Sequence, residues 1–212
     1  MRREHMASAG TGLTRGRPIA PERTALLLVD VQNWVVNDRQ AAIRPEFDAT
    51  VRAIALPNMV KLVEVCRRAG VEVLYTVMEN LTRDGRDRSL DYKLSGISVA
   101  KGSWDAKVLD AVAPVEDEIV LPKTSSSVFN STSIDYLLRN LGIEDLVVVG
   151  FLTDQCIDHT VKDAADRGYY VTCIRDACMA NTAARHEAAL ACFSGYCRMV
   201  TTAEFLTLLA RQ

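Results

Sequence analysis

The sequence lacks both a strong excess of charge and a long hydrophobic run. Its 25 Lys and Arg residues against 27 Asp and Glu residues leave a formal net charge of −2, so it has no basic surplus for gripping a phosphate backbone. No apolar run approaches the roughly 20 residues that span a bilayer, and the N-terminus lacks the apolar core of a signal peptide. We therefore expect a cytoplasmic protein with neither a nucleic-acid nor a membrane partner.

Histidine is scarce, and cysteine pairs of the metal-binding kind are missing. The chain has only 3 histidines, and its 6 cysteines form no C-x-x-C pair and no His/Cys spacing of a zinc site. We expect no metal and no cofactor. Reduced cysteines in such a chain usually pack as small apolar groups, so a cysteine with another role has to be recognised by its position.

The composition is that of a globular protein with one domain. Apolar residues make up 49% of the 212 residues and charged residues 25%, which is ordinary for a folded chain of this size. Residues 1–17 are rich in Gly, Ser, Thr and Arg and show no periodicity, so they are predicted to form a mobile tail. Residues 18–212 are predicted to form a single domain.

Short apolar runs alternate with longer amphipathic segments, as in parallel strands joined by crossover helices. This pattern predicts a three-layer α/β/α sandwich, doubly wound around a parallel sheet of about six strands. The predicted strands are Thr24–Asp30, Val71–Met78, Glu118–Pro122, Leu146–Phe151, Tyr169–Ile174 and Arg198–Thr201. The predicted helices are Ala49–Ala69, Ser133–Asn140, Asp154–Arg167, Ala183–Phe193 and Ala203–Ala210.

Two segments of this pattern are irregular. Pro57 lies inside the first predicted helix, where it favours a kink or a late start. The stretch Glu79–Gly102 is polar, lacks a clear period and is too long for an idle connection, so we expect it to form a substrate lid or an oligomer contact.

Three residues at strand ends suggest a catalytic site. Asp30 closes the first predicted strand, Lys123 follows the third, and Cys156 follows the fourth at the start of a helix. Ligands of such sheets bind beyond the carboxyl ends of the strands, so the three side chains are expected to meet there. A helix N-terminus and a lysine both favour a thiolate, and an aspartate can accept the thiol proton. The pattern therefore predicts a cysteine nucleophile.

Two histidines offer weaker alternatives. His159 lies one helical turn beyond Cys156 and could serve as its base, although its charged neighbours also fit a position facing solvent. His186 lies in an Arg-His-Glu stretch, for which we expect a hydrogen bond at the surface or at an interface.

These residues resemble the isochorismatase-like cysteine hydrolases. The resemblance rests on Ala25–Asn33 (ALLLVDVQN), Val120–Phe129 (VLPKTSSSVF) and Val147–Gly168 (VVVGFLTDQCIDHTVKDAADRG), and it spans about residues 23–205. It implies an Asp-Lys-Cys triad at Asp30, Lys123 and Cys156. It also implies a non-proline cis peptide bond at Phe151–Leu152, with the Leu152 and Cys156 N–H groups facing the substrate oxygen. Thr153 would hold this turn with its hydroxyl.

Departures from the family pattern narrow the expected activity. Nicotinamidases hold a metal through histidines after the first strand, and this chain has none between His5 and His159. Isochorismatases proper cleave a vinyl ether and lack the cysteine. The segment AKGSWD at Ala100–Asp105 resembles the ureidoacrylate amidohydrolase branch, which favours a carbamoyl or ureido substrate.

We therefore predict a hydrolase that cleaves a C–N bond of a small amide, ureido or carbamoyl compound through a thioester. The alternatives are a vinyl ether hydrolase and a non-catalytic binding domain on the same fold. Because family members often assemble, a dimer or tetramer is expected. Residues expected to line the pocket, since they end or follow strands at the active edge, are Trp34, Glu79, Asn80 and Phe129.

Overall fold

A computed structural model describes residues 13–211. Residues 1–12 of the predicted mobile tail lie outside the described residues. Arg17, the last residue of that predicted tail, donates hydrogen bonds to Glu144 at 2.9 Å and to Asp145 at 2.5 Å. Its guanidinium also lies 4.0 Å from the centre of the Tyr170 ring, so this residue is attached to the folded body.

The six predicted strands form one parallel sheet in the order β3-β2-β1-β4-β5-β6. This confirms the predicted architecture. The order reverses between β1 and β4, which is the position where doubly wound sheets open a ligand crevice. The observed strands are β1 Thr24–Val29, β2 Glu72–Met78, β3 Ile119–Lys123, β4 Asp145–Phe151, β5 Tyr170–Met179 and β6 Arg198–Val200.

Helices cover both faces of the sheet because the central strands are apolar on both sides. In β1, Leu26 and Leu28 pack against one helical layer, and Ala25, Leu27 and Val29 pack against the other. Nine α-helices are found in residues 13–211: α1 Asp38–Ile43, α2 Pro45–Thr50, α3 Leu56–Ala69, α4 Leu90–Leu94, α5 Val128–Ser131, α6 Ile134–Asn140, α7 Asp158–Asp166, α8 Ala183–Phe193 and α9 Thr202–Leu209. In this part of the chain, no helix is long and apolar enough to cross a membrane.

The first long helical segment begins earlier than predicted and contains the expected irregularity. It starts at Pro45 and runs through a π-helical turn, Val51–Ala55, before α3. Pro57 lies in the first turn of α3; because proline has no backbone N–H, it cannot donate to the turn before it, and the helix widens there. The segment ends at Gly70, whose φ of 73° supplies the left-handed conformation of a helix C-terminus.

Strand β5 extends past its predicted end at Ile174 to Met179. Its pairing with β4 jumps from Cys173 to Cys178 while β4 advances only from Val148 to Gly150, so a bulge interrupts the strand. The bulge contains Arg175 and Asp176, which resemble a strand end in sequence. Asp176 is fixed there because its carboxylate accepts hydrogen bonds from the backbone N–H and the hydroxyl of Thr202 at the start of α9.

Candidate active site

Asp30 is placed by the turn that ends β1. Its backbone has a φ of 57°, a left-handed conformation that aspartate tolerates better than most residues, and its N–H donates to Thr76 O at 2.9 Å. The side chain is only 1% exposed. A carboxylate so deeply buried needs a positive partner, and β3 supplies it.

Lys123 is the last residue of β3 and is completely buried. Its Nζ lies 2.9 Å from Asp30 Oδ2 and 3.4 Å from Cys156 Sγ. It also donates to the hydroxyl of Tyr92 at 2.8 Å and to Ser125 O at 2.9 Å. The ammonium therefore joins the carboxylate and the thiol in one cluster.

Cys156 lies in a π-helical turn, Thr153–Ile157, between β4 and α7. Its side chain is 5% exposed, and its carbonyl accepts a hydrogen bond of 2.6 Å from the Thr160 hydroxyl. The thiol is thus held at the opening turn of a helix, as the sequence indicated. The structure brings together the side chains of Asp30, Lys123 and Cys156, which come from three different strand ends.

The thiol is less acidic than its position at a helix start suggested. Burial raises the pKa of Cys156 to about 12, and the nearby Lys123 lowers it only in part. Burial also raises the pKa of Asp30, against the lowering effect of Lys123. Burial alone would lower the pKa of Lys123, but Asp30, Cys156 and Tyr92 together raise it. Burial therefore favours the neutral thiol over the thiolate, next to the salt bridge between Lys123 and Asp30.

Tyr92 is a site residue that the sequence reasoning missed. It lies on α4, inside the predicted lid Glu79–Gly102, and is 2% exposed. Its hydroxyl lies 3.9 Å from Cys156 Sγ and accepts a hydrogen bond from Lys123. Ser89 caps α4 through Tyr92 N, and its own N–H donates to Thr124 O, so the segment is attached beside the end of β3.

The turn between β4 and the thiol has the cis peptide bond that the family resemblance implied. The Phe151–Leu152 peptide bond is cis. The Thr153 hydroxyl lies 2.8 Å from Nδ1 of His186, which is partly buried on α8, so His186 supports the turn from inside the protein. His159 is exposed on α7, which argues against its use as the base for Cys156.

A cavity of about 280 Å³ opens beside Cys156. Its charged and polar lining comes from Asp30, Gln40, Arg44, Gln155 and Asn181. The rest of the lining is mostly apolar and consists of Trp34, Val35, Met78, Ile97, Phe151, Leu152 and Cys156 itself. A cavity of this size takes a small molecule rather than a polymer chain.

Of the four residues expected to line the pocket, Trp34 does so and the other three lie elsewhere. Glu79 turns away from the site, where its carboxylate accepts a hydrogen bond from Gly102 N. Asn80 is buried within the lid and donates to Ser98 Oγ. Phe129 is buried on α5 with its ring centre 6.1 Å from that of Tyr169, and it does not line the cavity. Their positions at or after strand ends correctly predicted that these residues lie near one edge of the sheet. The same positions did not predict whether each side chain points into the cavity.

The wall that carries Trp34 is supported by the AKGSWD segment. Trp34 N donates to Asp105 O, and the Asn33 side chain donates to Trp104 O. Gln32 is completely buried and donates to both Met78 O and Asp105 O, each at 3.0 Å. This segment therefore supports the cavity wall through backbone contacts, and none of its residues lines the cavity.

The described residues offer no metal centre, since no group of three or more His, Cys, Asp or Glu side chains within residues 13–211 is arranged to hold an ion. A parallel α/β sandwich that brings a thiol and a carboxylate to one small cavity, with a buried ammonium in contact with both, has the arrangement of a cysteine hydrolase.

Comparison with known proteins identifies the family. The Isochorismatase domain matches residues 24–205. The chain is 30% identical to the ureidoacrylate amidohydrolase RutB of Acinetobacter baylyi, over 80% of this chain and 78% of the relative. It superimposes on a cysteine hydrolase from Pseudomonas syringae pv. phaseolicola with a TM-score of 0.82 and 26% identity, covering 92% of this chain and 96% of the other. For N-carbamoylsarcosine amidase from Thermoplasma acidophilum, the TM-score is 0.69 and the identity 28%, covering 85% and 96%. The chain belongs to the isochorismatase domain family.

Proposed function

We propose that this protein hydrolyses a non-peptide C–N bond of a small amide, ureido or carbamoyl compound, with Cys156 as nucleophile. The observation that carries the proposal is the contact of Lys123 Nζ with both Asp30 Oδ2 (2.9 Å) and Cys156 Sγ (3.4 Å) beside a small cavity. Asp30, Lys123 and Cys156 would act as a catalytic triad. The substrate class is supported by the ureidoacrylate amidohydrolase and N-carbamoylsarcosine amidase relatives.

In the first step, Asp30 takes the proton of the Cys156 thiol while the sulfur attacks the carbonyl carbon. The raised pKa of the thiol makes this a proton transfer at the moment of attack rather than reaction of a preformed thiolate. The C–S bond forms as the carbonyl electron pair moves to oxygen. The backbone N–H groups of Leu152 and Cys156 would stabilise this oxyanion.

The intermediate then collapses and the C–N bond breaks. The proton held by Asp30 passes to the departing nitrogen, which leaves as ammonia or an amine. A water molecule gives its proton to Asp30 and attacks the thioester. The C–S bond breaks, the acid leaves, and the proton returns to the sulfur. Lys123 stays protonated throughout and stabilises the negative charge that moves between Asp30 and Cys156.

Substitution of the thiol tests this assignment. We expect Cys156→Ala to reduce turnover of the amide substrate by about 10³-fold or more, because removal of a covalent nucleophile lowers turnover by at least that factor. The substrate is found by measuring ammonia release from small amides, carbamoyl amino acids, biuret and ureido acids. Cys192→Ser is a matched control because Cys192 is exposed on α8, and it should retain wild-type turnover.

A Cys156→Ala protein with near wild-type amide turnover would contradict the proposal. The same variant also separates the alternative activity. A vinyl ether hydrolase needs no thiol, so continued cleavage of an isochorismate-like ether by Cys156→Ala would favour that alternative instead.

We also propose a cytoplasmic homo-oligomer, a dimer or a tetramer. The reduced state expected in the cytoplasm agrees with six free cysteines, all of which lie among the described residues. Assembly is supported by exposed apolar side chains in and beside the lid: Leu90 is 72% exposed, Leu94 78% and Trp104 58%.

A further inference from the structure

Arg44 places a positive charge on the wall of the cavity, between α1 and α2. Its guanidinium is held firmly: Nη1 donates to Asn181 Oδ1 at 3.1 Å, and Nη2 donates to Val35 O at 2.8 Å. The guanidinium carbon also lies 4.5 Å from the centre of the Phe47 ring. These contacts fix the orientation of the group but supply no negative charge.

The charge of Arg44 is not balanced by the protein around it. No Asp or Glu side chain of residues 13–211 makes an ion pair with Arg44, and burial lowers its pKa. Asp30, the acidic residue in the cavity lining, is paired with Lys123. The remaining lining is neutral. The cavity therefore combines a neutralised reactive cluster with one partly buried, uncompensated cation.

We propose that Arg44 binds a carboxylate of the substrate, so that the substrate class is a small ureido or carbamoyl acid. A planar guanidinium with N–H groups left over from its two protein contacts matches a carboxylate in geometry and charge. The inference rests on the proposed function, because it assigns the part of the substrate that does not react. The cavity of about 280 Å³ suits a small acid of this kind.

The test compares an anionic probe, N-carbamoylglycine, with a neutral one, N-carbamoylglycinamide. The two differ in one group, a carboxylate in the first and an amide in the second. Wild-type enzyme is expected to have a higher kcat/KM for the acid. Arg44→Gln should lower kcat/KM for the acid by about 10- to 100-fold, as expected for loss of a charge-assisted hydrogen bond, and change the value for the amide by less than about 3-fold. Arg44→Lys keeps the positive charge but lacks the planar pair of N–H donors. Its kcat/KM for the acid should lie between those of the wild type and Arg44→Gln.

Arg39→Gln is the matched control. Arg39 is exposed on α1, its guanidinium carbon lies 5.0 Å from the centre of the Trp34 ring, and it does not line the cavity. Its removal subtracts the same charge from the neighbourhood, so it should leave the acid-to-amide ratio of kcat/KM unchanged. If Arg39→Gln changed this ratio as much as Arg44→Gln does, the preference for the acid would come from the overall positive charge near the cavity. The proposed contact between Arg44 and the carboxylate would then be wrong.

Binding to the inactive Cys156→Ser protein gives a second readout by calorimetry. N-carbamoylglycine should bind more tightly than its amide, and adding Arg44→Gln should remove the difference. Equal binding of the two probes, or no binding of either, would overturn the inference. If all ureido compounds stay uncleaved while this discrimination is seen, the proposed function fails and the carboxylate site stands. If both probes are cleaved with equal kcat/KM and bind equally, the proposed function stands and the carboxylate site fails.

Discussion

At the scale of single residues, the buried pair of Asp30 and Lys123 dominates both stability and chemistry. The two side chains are 1% and 0% exposed, so each charge depends on the other for its compensation. A buried pair of this kind need not stabilise a protein relative to an apolar pair, but breaking it is costly. The pair is therefore best explained by its contact with the thiol.

Lys123→Met should destabilise the fold more than removal of both charges. The single substitution leaves Asp30 buried without a cation, which costs about 3–5 kcal/mol in the free energy of unfolding. In the double variant Asp30→Asn and Lys123→Met, no charge remains, and much of that loss should be recovered. Urea unfolding of the wild-type, single-variant and double-variant proteins measures both values. Equal destabilisation of the single and the double variant would contradict the coupling.

The pH dependence of kcat/KM should report Asp30. Because Asp30 has to accept a proton, activity requires its ionised form and falls as the pH drops through its pKa. Burial raises that pKa, so the acid limb should lie at higher pH than it would for an exposed aspartate. The raised pKa of Lys123 predicts no loss of activity at the pH where an ordinary lysine deprotonates. A flat profile on the acid side would contradict the role of Asp30.

The sequence predicted the positions of Asp30, Lys123 and Cys156 because each follows an apolar strand whose carboxyl end must reach the same rim. It predicted the acidity of the thiol wrongly. A helix start and a lysine both favour a thiolate, but the depth of burial outweighs them, and depth depends on the lid, which has no readable period. Arg44 and Tyr92 were missed because neither follows a strand.

At the scale of elements, helix α4 is the part of the lid that reaches the site. Its five residues, Leu90–Leu94, are too few to form a stable helix alone, so their position depends on the cap by Ser89 and on the buried Tyr92. Within the lid, the Asp87 carboxylate closes a turn by accepting hydrogen bonds from the backbone N–H groups of Leu81 and Thr82. The lid thus positions one hydroxyl beside Lys123.

Tyr92→Phe should keep the ring in place and remove that hydroxyl. Loss of a hydrogen bond to a charged group corresponds to about a 10- to 100-fold lower kcat. Without Tyr92, Lys123 can interact more strongly with Asp30, so the acid limb of the pH profile should also move to lower pH. Tyr136→Phe, at an exposed tyrosine of α6, is the control. An even loss of activity at every pH would indicate a purely structural effect of Tyr92.

The central strands and the long helices were predictable, whereas the short helices were not. Strand β1 is apolar on both faces, and α8 was predicted with its observed bounds, Ala183–Phe193. Helices α1, α4 and α5 have at most six residues each, too short for a hydrophobic period to show. Their formation depends on side-chain caps at Asn37, Ser89 and Ser127 and on tertiary contacts.

At the scale of the whole molecule, the order of the strands in the sheet determines where the site lies. The sequence contained the strand–helix alternation that produces the β3-β2-β1-β4-β5-β6 order, and it is this order that brings the ends of β1, β3 and β4 to one rim. Contacts with a second copy leave no such pattern in a single sequence. The exposed apolar residues at the lid, Leu90 and Leu94, form the surface that the proposed oligomer would use as its contact.

Light scattering in dilute buffer should give a mass that is two or four times the 23.4 kDa of the chain. Leu94→Glu, which puts a charge on an exposed apolar position of the lid, should shift that mass downward if the lid face is the contact. Thr207→Glu offers a comparison at an exposed position of α9, where the hydroxyl donates to Ala203 O. A wild-type mass equal to one chain would remove the prediction of an oligomer.

The most direct test of the account is the mass of the protein during turnover. Acid quenching of the enzyme with its amide or ureido substrate, followed by peptide mass spectrometry, should reveal an acyl adduct on Cys156 and none on the other five cysteines. The added mass should equal that of the acyl part of the substrate. An adduct on a different residue, or steady turnover in which Cys156 stays unmodified under every quench time, would contradict the thioester mechanism.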